Sequence, residues 1–266
     1  MAKLDKALME FQEIDMLSRT DTCLTRRHPI GKLMITILYL FLVISFPKYN
    51  LPGLAGMSIY LMVLFTIGDL SFFDCIHRIR LILPLVCLIG IWNPFFDRET
   101  LLQIGTWSVS GGMISMCTFI LKGGFAVIAS YLLIATTSME ELCYAFSKLH
   151  VPDILITQFM LTYRYVFLLL QEAKRMTQAY ALRAPGQRGI HYKNWGSLVG
   201  HLLLRSMDRA EIIYQSMCLR GYGKQSYSAI NCSWTYKDVL YLLGWSSVLL
   251  LLRFVPVLET IGILLV

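Results

Sequence analysis

Residues 30–68 carry no acidic side chain and two basic ones, Lys32 and Lys48. The stretch divides into two apolar runs, 30–46 and 51–68, separated by Pro47-Lys48-Tyr49-Asn50. A helix that crosses hydrocarbon needs about 20 mostly apolar residues. Three further runs have that character: 79–96, which contains Pro84; 113–135, interrupted by Lys122; and 239–257, followed by an apolar tail to Val266. A proline inside such a helix is tolerated where neighbours satisfy the carbonyl it frees. The runs predict an all-α polytopic membrane protein with about five transmembrane helices. Composition excludes a soluble domain. Apolar residues make up 56% and charged residues 15%, against about 45–50% and about 25% in soluble domains. Mean hydropathy is +0.59.

Charge orients the runs. The first 32 residues carry six bases and five acids and no apolar core, so an exposed N-terminal segment is expected rather than a cleavable signal peptide. Glu10 to Asp15 is expected to form a short helix beside the membrane. Bases alternate strictly between the loops. Residues 1–32, the loop holding Arg78 and Arg80, and residues 137–237 carry 20 of the 24 Lys and Arg. The other two loops carry Lys48 and Arg98, and Lys122 and Arg253 lie within runs. Positive charge marks the cytoplasmic side. The N-terminus and 137–237 are therefore expected in the cytoplasm, as parts of a multi-pass membrane chain. The expected organisation is a cytoplasmic segment 1–29, four transmembrane helices over 30–136, cytoplasmic helices over 137–237 and a last transmembrane helix over 238–266.

Residues 137–237 hold twelve bases and six acids and few helix breakers. A short helix is predicted over about 139–149, capped by Thr137 or Ser138, with Glu140 and Glu141 in its first turn. A long helix begins at Val151-Pro152-Asp153 and runs to Arg183, where Ala184-Pro185-Gly186 stops it. Its first half is apolar and its second half charged, so it is expected to start against the membrane and leave it. A second long helix is predicted over about 197–220, ended by Gly221-Tyr222-Gly223. Val199, Leu203, Met207, Ala210, Tyr214 and Met217 share one face of it, with Arg205 and Arg209 off that face.

The two long helices end alike, in Ala181-Leu182-Arg183-Ala184 and Cys218-Leu219-Arg220-Gly221. One explanation is ordinary capping, in which a cation near a helix C-terminus gains about 0.3–1 kcal/mol. The other is docking, in which each arginine enters an acidic or carbonyl-lined groove on a soluble partner. A planar guanidinium makes several directed bonds and keeps its charge.

Other chemistries lack their residues. Gly221-Tyr222-Gly223-Lys224-Gln225 has neither the first glycine nor the hydroxyl residue of a phosphate-cradling loop, so the chain is expected to borrow its energy rather than bind ATP. The five histidines are scattered and the seven cysteines form no C-x-x-C pair. No metal or cofactor site is expected, and the thiols read as reduced and packed. The spans offer no paired carboxylates or His–acid pair for an intramembrane hydrolase. Arg253 is the charge of the last span, a functional candidate by position or a snorkelling or subunit-pairing residue. The basic excess is explained by membrane topology, and no nucleic-acid partner is expected.

The chain resembles the CbiQ family. The resemblance rests on Gly196-Ser197-Leu198-Val199-Gly200, Leu204-Arg205-Ser206-Met207-Asp208-Arg209-Ala210-Glu211 and Met217-Cys218-Leu219-Arg220-Gly221-Tyr222. Ile14-Asp15, His28-Pro29-Ile30-Gly31-Lys32-Leu33, Asn93-Pro94-Phe95-Phe96-Asp97, Thr136-Thr137, Val151-Pro152 and Tyr163-Arg164-Tyr165 agree with it. It covers about residues 14–225. CbiQ proteins are the transmembrane T components of energy-coupling-factor (ECF) importers for cobalt. The resemblance implies a non-catalytic subunit whose two coupling helices dock on a pair of ATPases. It would pass their closure to a substrate-binding S component in the membrane. Arg183 and Arg220 would be the coupling arginines, flanked by Leu182, Ala184, Leu219 and Gly221. Arg205, Asp208, Arg209 and Glu211 would support the coupling helices. The family's Ala-Arg-Gly pattern is altered at Leu182 and Ala184 and at Leu219. Lys122 falls where the family often has an arginine, and snorkelling explains it equally well. Cobalt, nickel or a vitamin such as biotin remain open as substrates. So does a permease of an ordinary ABC importer, since residues 140–152 resemble the coupling loop of such permeases.

Overall fold

The computed structural model describes residues 24–47, 50–68, 83–90, 100–104, 107–186, 189–222 and 234–254, with Met9, Met16, Ser18, Thr20, Thr22 and Cys75. The expected surface helix at 10–15, the flanks of the run at 79–96 and the tail after Phe254 lie outside the described residues. The chain divides into two compact units. One, the bundle unit, comprises Leu17–Ser138 and Cys232–Val266; the other, the hairpin unit, comprises Met1–Met16 and Met139–Asn231.

The bundle unit opens with α1, Pro29–Ser45. Pro29 sits at the first helical position, where its missing N–H costs nothing, and the His28 ring accepts the Ile30 N–H. Lys32, Ile35, Thr36, Tyr39, Leu42 and Val43 recur at three- and four-residue steps and are buried. The opposite face is apolar as well, with Met34, Ile37, Phe41 and Ile44 exposed. A helix apolar on both faces needs a non-aqueous surround. The run 51–68 forms α2, Leu51–Gly56, and α3, Ser58–Gly68, joined at Met57, whose N–H donates to Leu54 O at 3.0 Å. Asn50 caps α2 by accepting the Gly53 N–H at 2.8 Å.

Of the run 79–96 the structure describes α4, Leu83–Gly90. A short antiparallel hairpin follows, β1 (Thr100–Ile104) and β2 (Trp107–Ser110), paired from Ile104↔Trp107 to Thr100↔Ser110. The apolar-run reading anticipated no strand. Next comes α5, Gly111–Thr136, and the unit closes with α9, Tyr236–Phe254. The core lies between α1, α3, α5 and α9. Tyr39 and Tyr60 meet at 4.7 Å between ring centroids, and Trp245 of α9 meets Tyr60 edge-on at 4.9 Å. Such pairs contribute about 0.5–1.5 kcal/mol beyond their burial. The Tyr39 hydroxyl donates to Met57 O at 3.4 Å.

The hairpin unit contains α6 (Met139–Lys148), α7 (Asp153–Arg183) and α8 (Tyr192–Leu219). α6 is anchored by buried Cys143, Tyr144 and Ala145. Neither α7 nor α8 has a buried residue.

Among the described helices, three stretches are long and apolar enough to cross a membrane: Leu51–Gly68, α5 and α7. α1 is one residue short of that length, and α9 is diluted by Lys237, Asp238 and Arg253. α7 qualifies because its N-terminal half is so apolar.

Small residues bring α4 and α5 together, as in other membrane bundles. A Cβ on Gly123 would lie 2.5 Å from Val86 Cγ1, whereas one on neighbouring Gly124 would meet nothing within 4 Å. Gly123→Leu is therefore expected to cost about 1–3 kcal/mol through overpacking and to lower the melting temperature of the detergent-purified protein. Gly124→Leu should leave it unchanged. Equal melting of the two variants would contradict the close approach.

Candidate coupling tips

The tip at Arg183 ends a helix that begins at Pro152, with Asp153 in the first turn beside the positive helix end. The last turn closes with the Ala184 N–H donating to Tyr180 O at 3.0 Å. Ala184 (φ −124°, ψ 65°) leaves the helix without entering the left-handed region, and the reversal waits for Gly186 at φ +97°. Leu182 is 84% exposed.

The tip at Arg220 is built differently. Gly221 takes φ +85° and donates its N–H to Cys218 O at 3.0 Å, while the Tyr222 N–H donates to Met217 O at 3.0 Å. This is a Schellman ending, in which glycine is favoured because a Cβ is strained at positive φ. Leu219 is 89% exposed. The residues that follow the two arginines differ for a reason: Gly221 is demanded by backbone geometry, and Ala184 occupies a position where a Cβ is free to stand.

α7 and α8 run antiparallel. Beside the connecting turn the Tyr180 hydroxyl accepts the His191 N–H at 3.5 Å and Asn194 Nδ2 at 3.0 Å. Farther along, Arg205 forms an ion pair with Glu172, and Arg175 lies 4.0 Å from Glu172. At the far end Ile154, Met217 and Tyr222 line a common groove of about 430 Å³. Arg183 and Arg220 therefore stand at opposite ends of the pair. α8 has 28 residues, so the tips are roughly 40 Å apart at 1.5 Å per residue.

The predicted apolar face of α8 divides along its length. Ala210, Tyr214 and Met217 of that face line the groove with α7, together with Ser206, Arg209 and Ile213, and Arg205 pairs with Glu172. Val199, Leu203 and Met207 are exposed. The ion pair to Glu172 and the Tyr180 bonds set the rotation, leaving an apolar stripe outside. Glu211 accepts Gln215 Nε2 at 3.3 Å along its own helix, and Asp208 is exposed. α8 also begins five residues earlier than expected, because the His191 ring caps it by accepting the Lys193 N–H at 3.4 Å.

Lys122 and Arg253 come together in the bundle unit at the C-terminus of α1. Lys122 Nζ donates to Ile44 O at 3.2 Å and Phe46 O at 2.5 Å. Arg253 donates to Ser45 O at 3.1 Å and lies 4.2 Å from the Phe46 ring centroid. The two cations cap the negative end of that helix. In α6, burial and the adjacent Glu140 push the Cys143 thiol up, so it stays protonated at neutral pH and inert. Among the described residues no His, Cys, Asp and Glu cluster that could hold a metal ion is present.

Gly221→Ala is expected to cost about 1 kcal/mol through the left-handed backbone. Hydrogen exchange should quicken over residues 216–222 and stay unchanged over α7. A protected end in the variant would show that the Schellman geometry is dispensable.

Comparison with known proteins fits these features. Uncharacterized protein MJ1571 of Methanocaldococcus jannaschii is 25% identical over 223 residues, covering 80% of this chain and 76% of the relative. Uncharacterized protein MJ1089 of the same organism is 34% identical over 133 residues, covering 48% of each chain. Residues 21–228, which include α1 and both helix tips, match the CbiQ family, described as cobalt transport protein. The chain belongs to the CbiQ family and is a membrane transporter component.

Proposed function

We propose that the chain is the energy-coupling T subunit of an ECF-type ABC importer. It links two cytoplasmic ATPase subunits to a substrate-binding S component in the bilayer, and cobalt is the proposed cargo. The observation that carries this reading is the pair of exposed Leu-Arg tips at opposite ends of one antiparallel helix pair. A side chain that merely capped its own helix would need no exposed leucine beside it. Two equivalent tips roughly 40 Å apart suit two separate receptors. An arginine fork supplies directed bonds to carboxylate or carbonyl oxygens in each receptor, and the leucine supplies apolar area. The absence of any buried residue in α7 and α8 is what a helix pair completed by other subunits and lipid requires.

In this reading the bundle unit lies in the plasma membrane, with residues 30–136 and 238–266 supplying about five transmembrane helices. Residues 137–237 form the cytoplasmic coupling domain, and the N-terminus is cytoplasmic. The break between units after Ser138 and after Asn231 supports that partition, as does the alternation of basic loops. The ATPases bind and hydrolyse ATP; this chain passes on their closure. The S component holds the cargo.

Replacing Arg183 and Arg220 together by Glu is expected to abolish cobalt uptake and detach the ATPase subunits, while membrane insertion survives. Each single variant should retain partial ATPase association. Leu182→Asp with Leu219→Asp should weaken association with both arginines present, since exposed leucines have no folding role. Normal ATPase co-purification with the double arginine variant would refute the reading. Two copies of this chain per complex would instead favour a permease that forms the path itself.

A further inference from the structure

Charged and polar groups gather at the opposite end of α1, and there they cap one helix with side chains of another. Lys32 lies in the second turn of α1, where a cation is disfavoured by the positive helix end, and it is 4% exposed. Its Nζ donates to Thr136 O at 2.7 Å and to Thr25 O at 3.4 Å. Thr136 is the last residue of α5, so the cation sits on the negative end of a different helix. Asp238, in the first turn of α9, is 7% exposed. Its Oδ1 accepts the His28 N–H at 3.3 Å and lies 4.0 Å from Arg27 Nη1, and its Oδ2 accepts the Thr235 N–H at 3.1 Å. The His28 ring stacks on Trp234 at 4.5 Å. The N-terminal end of α1 is thus bonded to the end of α5 and to the start of α9.

Those two attachment points are where the chain leaves and rejoins the bundle unit. It passes into the hairpin unit after Ser138, two residues beyond Thr136, and returns at Cys232, three residues before Thr235. Both connections are thus fastened to α1 where they meet the bundle unit. The bonds are charge-assisted and buried, and removing one partner from such a group leaves an expensive unpaired one. They therefore hold under load where apolar contacts would slide.

Resting on the T-subunit reading, we infer that Lys32 and Asp238 are positioning residues for energy coupling: they clamp both connections to α1, so that motion of the hairpin unit moves α1. The clamp touches neither ATPase nor cargo.

The test uses the complex co-purified with its ATPase subunits and reconstituted in lipid. A spin label is attached at Phe41→Cys, on the exposed face of α1, with the other cysteines replaced by alanine. Adding ATP and vanadate is expected to change the label's mobility in the otherwise unsubstituted chain. In Lys32→Met and in Asp238→Asn the ATPases should still co-purify and still hydrolyse ATP, while the label response falls by about 10-fold or more. Lys32→Arg, which keeps a cation for the Thr136 carbonyl, should restore most of it. A fold defect alone would lower protein amount and ATPase association together, and Lys32→Arg would then rescue amount rather than response. A full label response per molecule in both variants overturns the clamp, as does an α1 label that is silent while the ATPases are bound and active. Failure of any ATPase to co-purify with the unsubstituted chain strikes the T-subunit reading itself, and the clamp with it.

Discussion

α1 has 17 residues, so it is about 25 Å long, while the hydrocarbon core of a bilayer is about 30 Å thick. In the proposed membrane arrangement both of its ends need hydrogen-bond partners within protein, since lipid offers none. The structure meets that need at each end with charge. Lys122 and Arg253 hold the last carbonyls. Asp238 takes the His28 N–H at the beginning. Because these partners come from α5 and α9, satisfying one short helix also fixes its two neighbours. The aromatic contacts of Tyr39, Tyr60 and Trp245 then fill the space so defined.

The hairpin unit answers to a different constraint. α7 and α8 bury no residue of their own, and polar links at Tyr180 and Glu172 set how they align. Such links specify register and leave apolar surface uncovered. That combination suits elements that are completed by partners and that must move with them. It also accounts for the exposed leucines beside Arg183 and Arg220, which would be hard to explain in a helix pair that worked alone.

Much of this was legible from residue order. The apolar run 51–68 became α2 and α3, the run 113–135 became α5, and Asp153 to Arg183 became α7 because a proline-led start and an Ala-Pro-Gly stop bracket it. The start of α8 was misjudged, since a histidine cap at His191 is a weaker signal than Ser or Asp. The apolar face of α8 was legible, but not how much of it α7 covers. Hydrophobic periodicity finds a face and not its neighbour: Ala210, Tyr214 and Met217 line the groove, while Val199, Leu203 and Met207 stay exposed. Lys32 and Asp238 carried a signal that went unused: each is a charge in the first turns of an otherwise apolar helix.

By itself, the sequence determined that the chain is a helical membrane protein, where its long helices stop and which two arginines stand at their tips. Those properties follow from local rules: run length, helix-stop residues and spacing. Only tertiary structure decided that the two tips point to opposite ends of one antiparallel pair. Only tertiary structure decided that Lys122 and Arg253 share one helix end while Lys32 and Asp238 secure the other. Such pairings join residues up to 210 positions apart, and a buried charge is satisfied by whichever backbone the fold brings near, which no local pattern encodes.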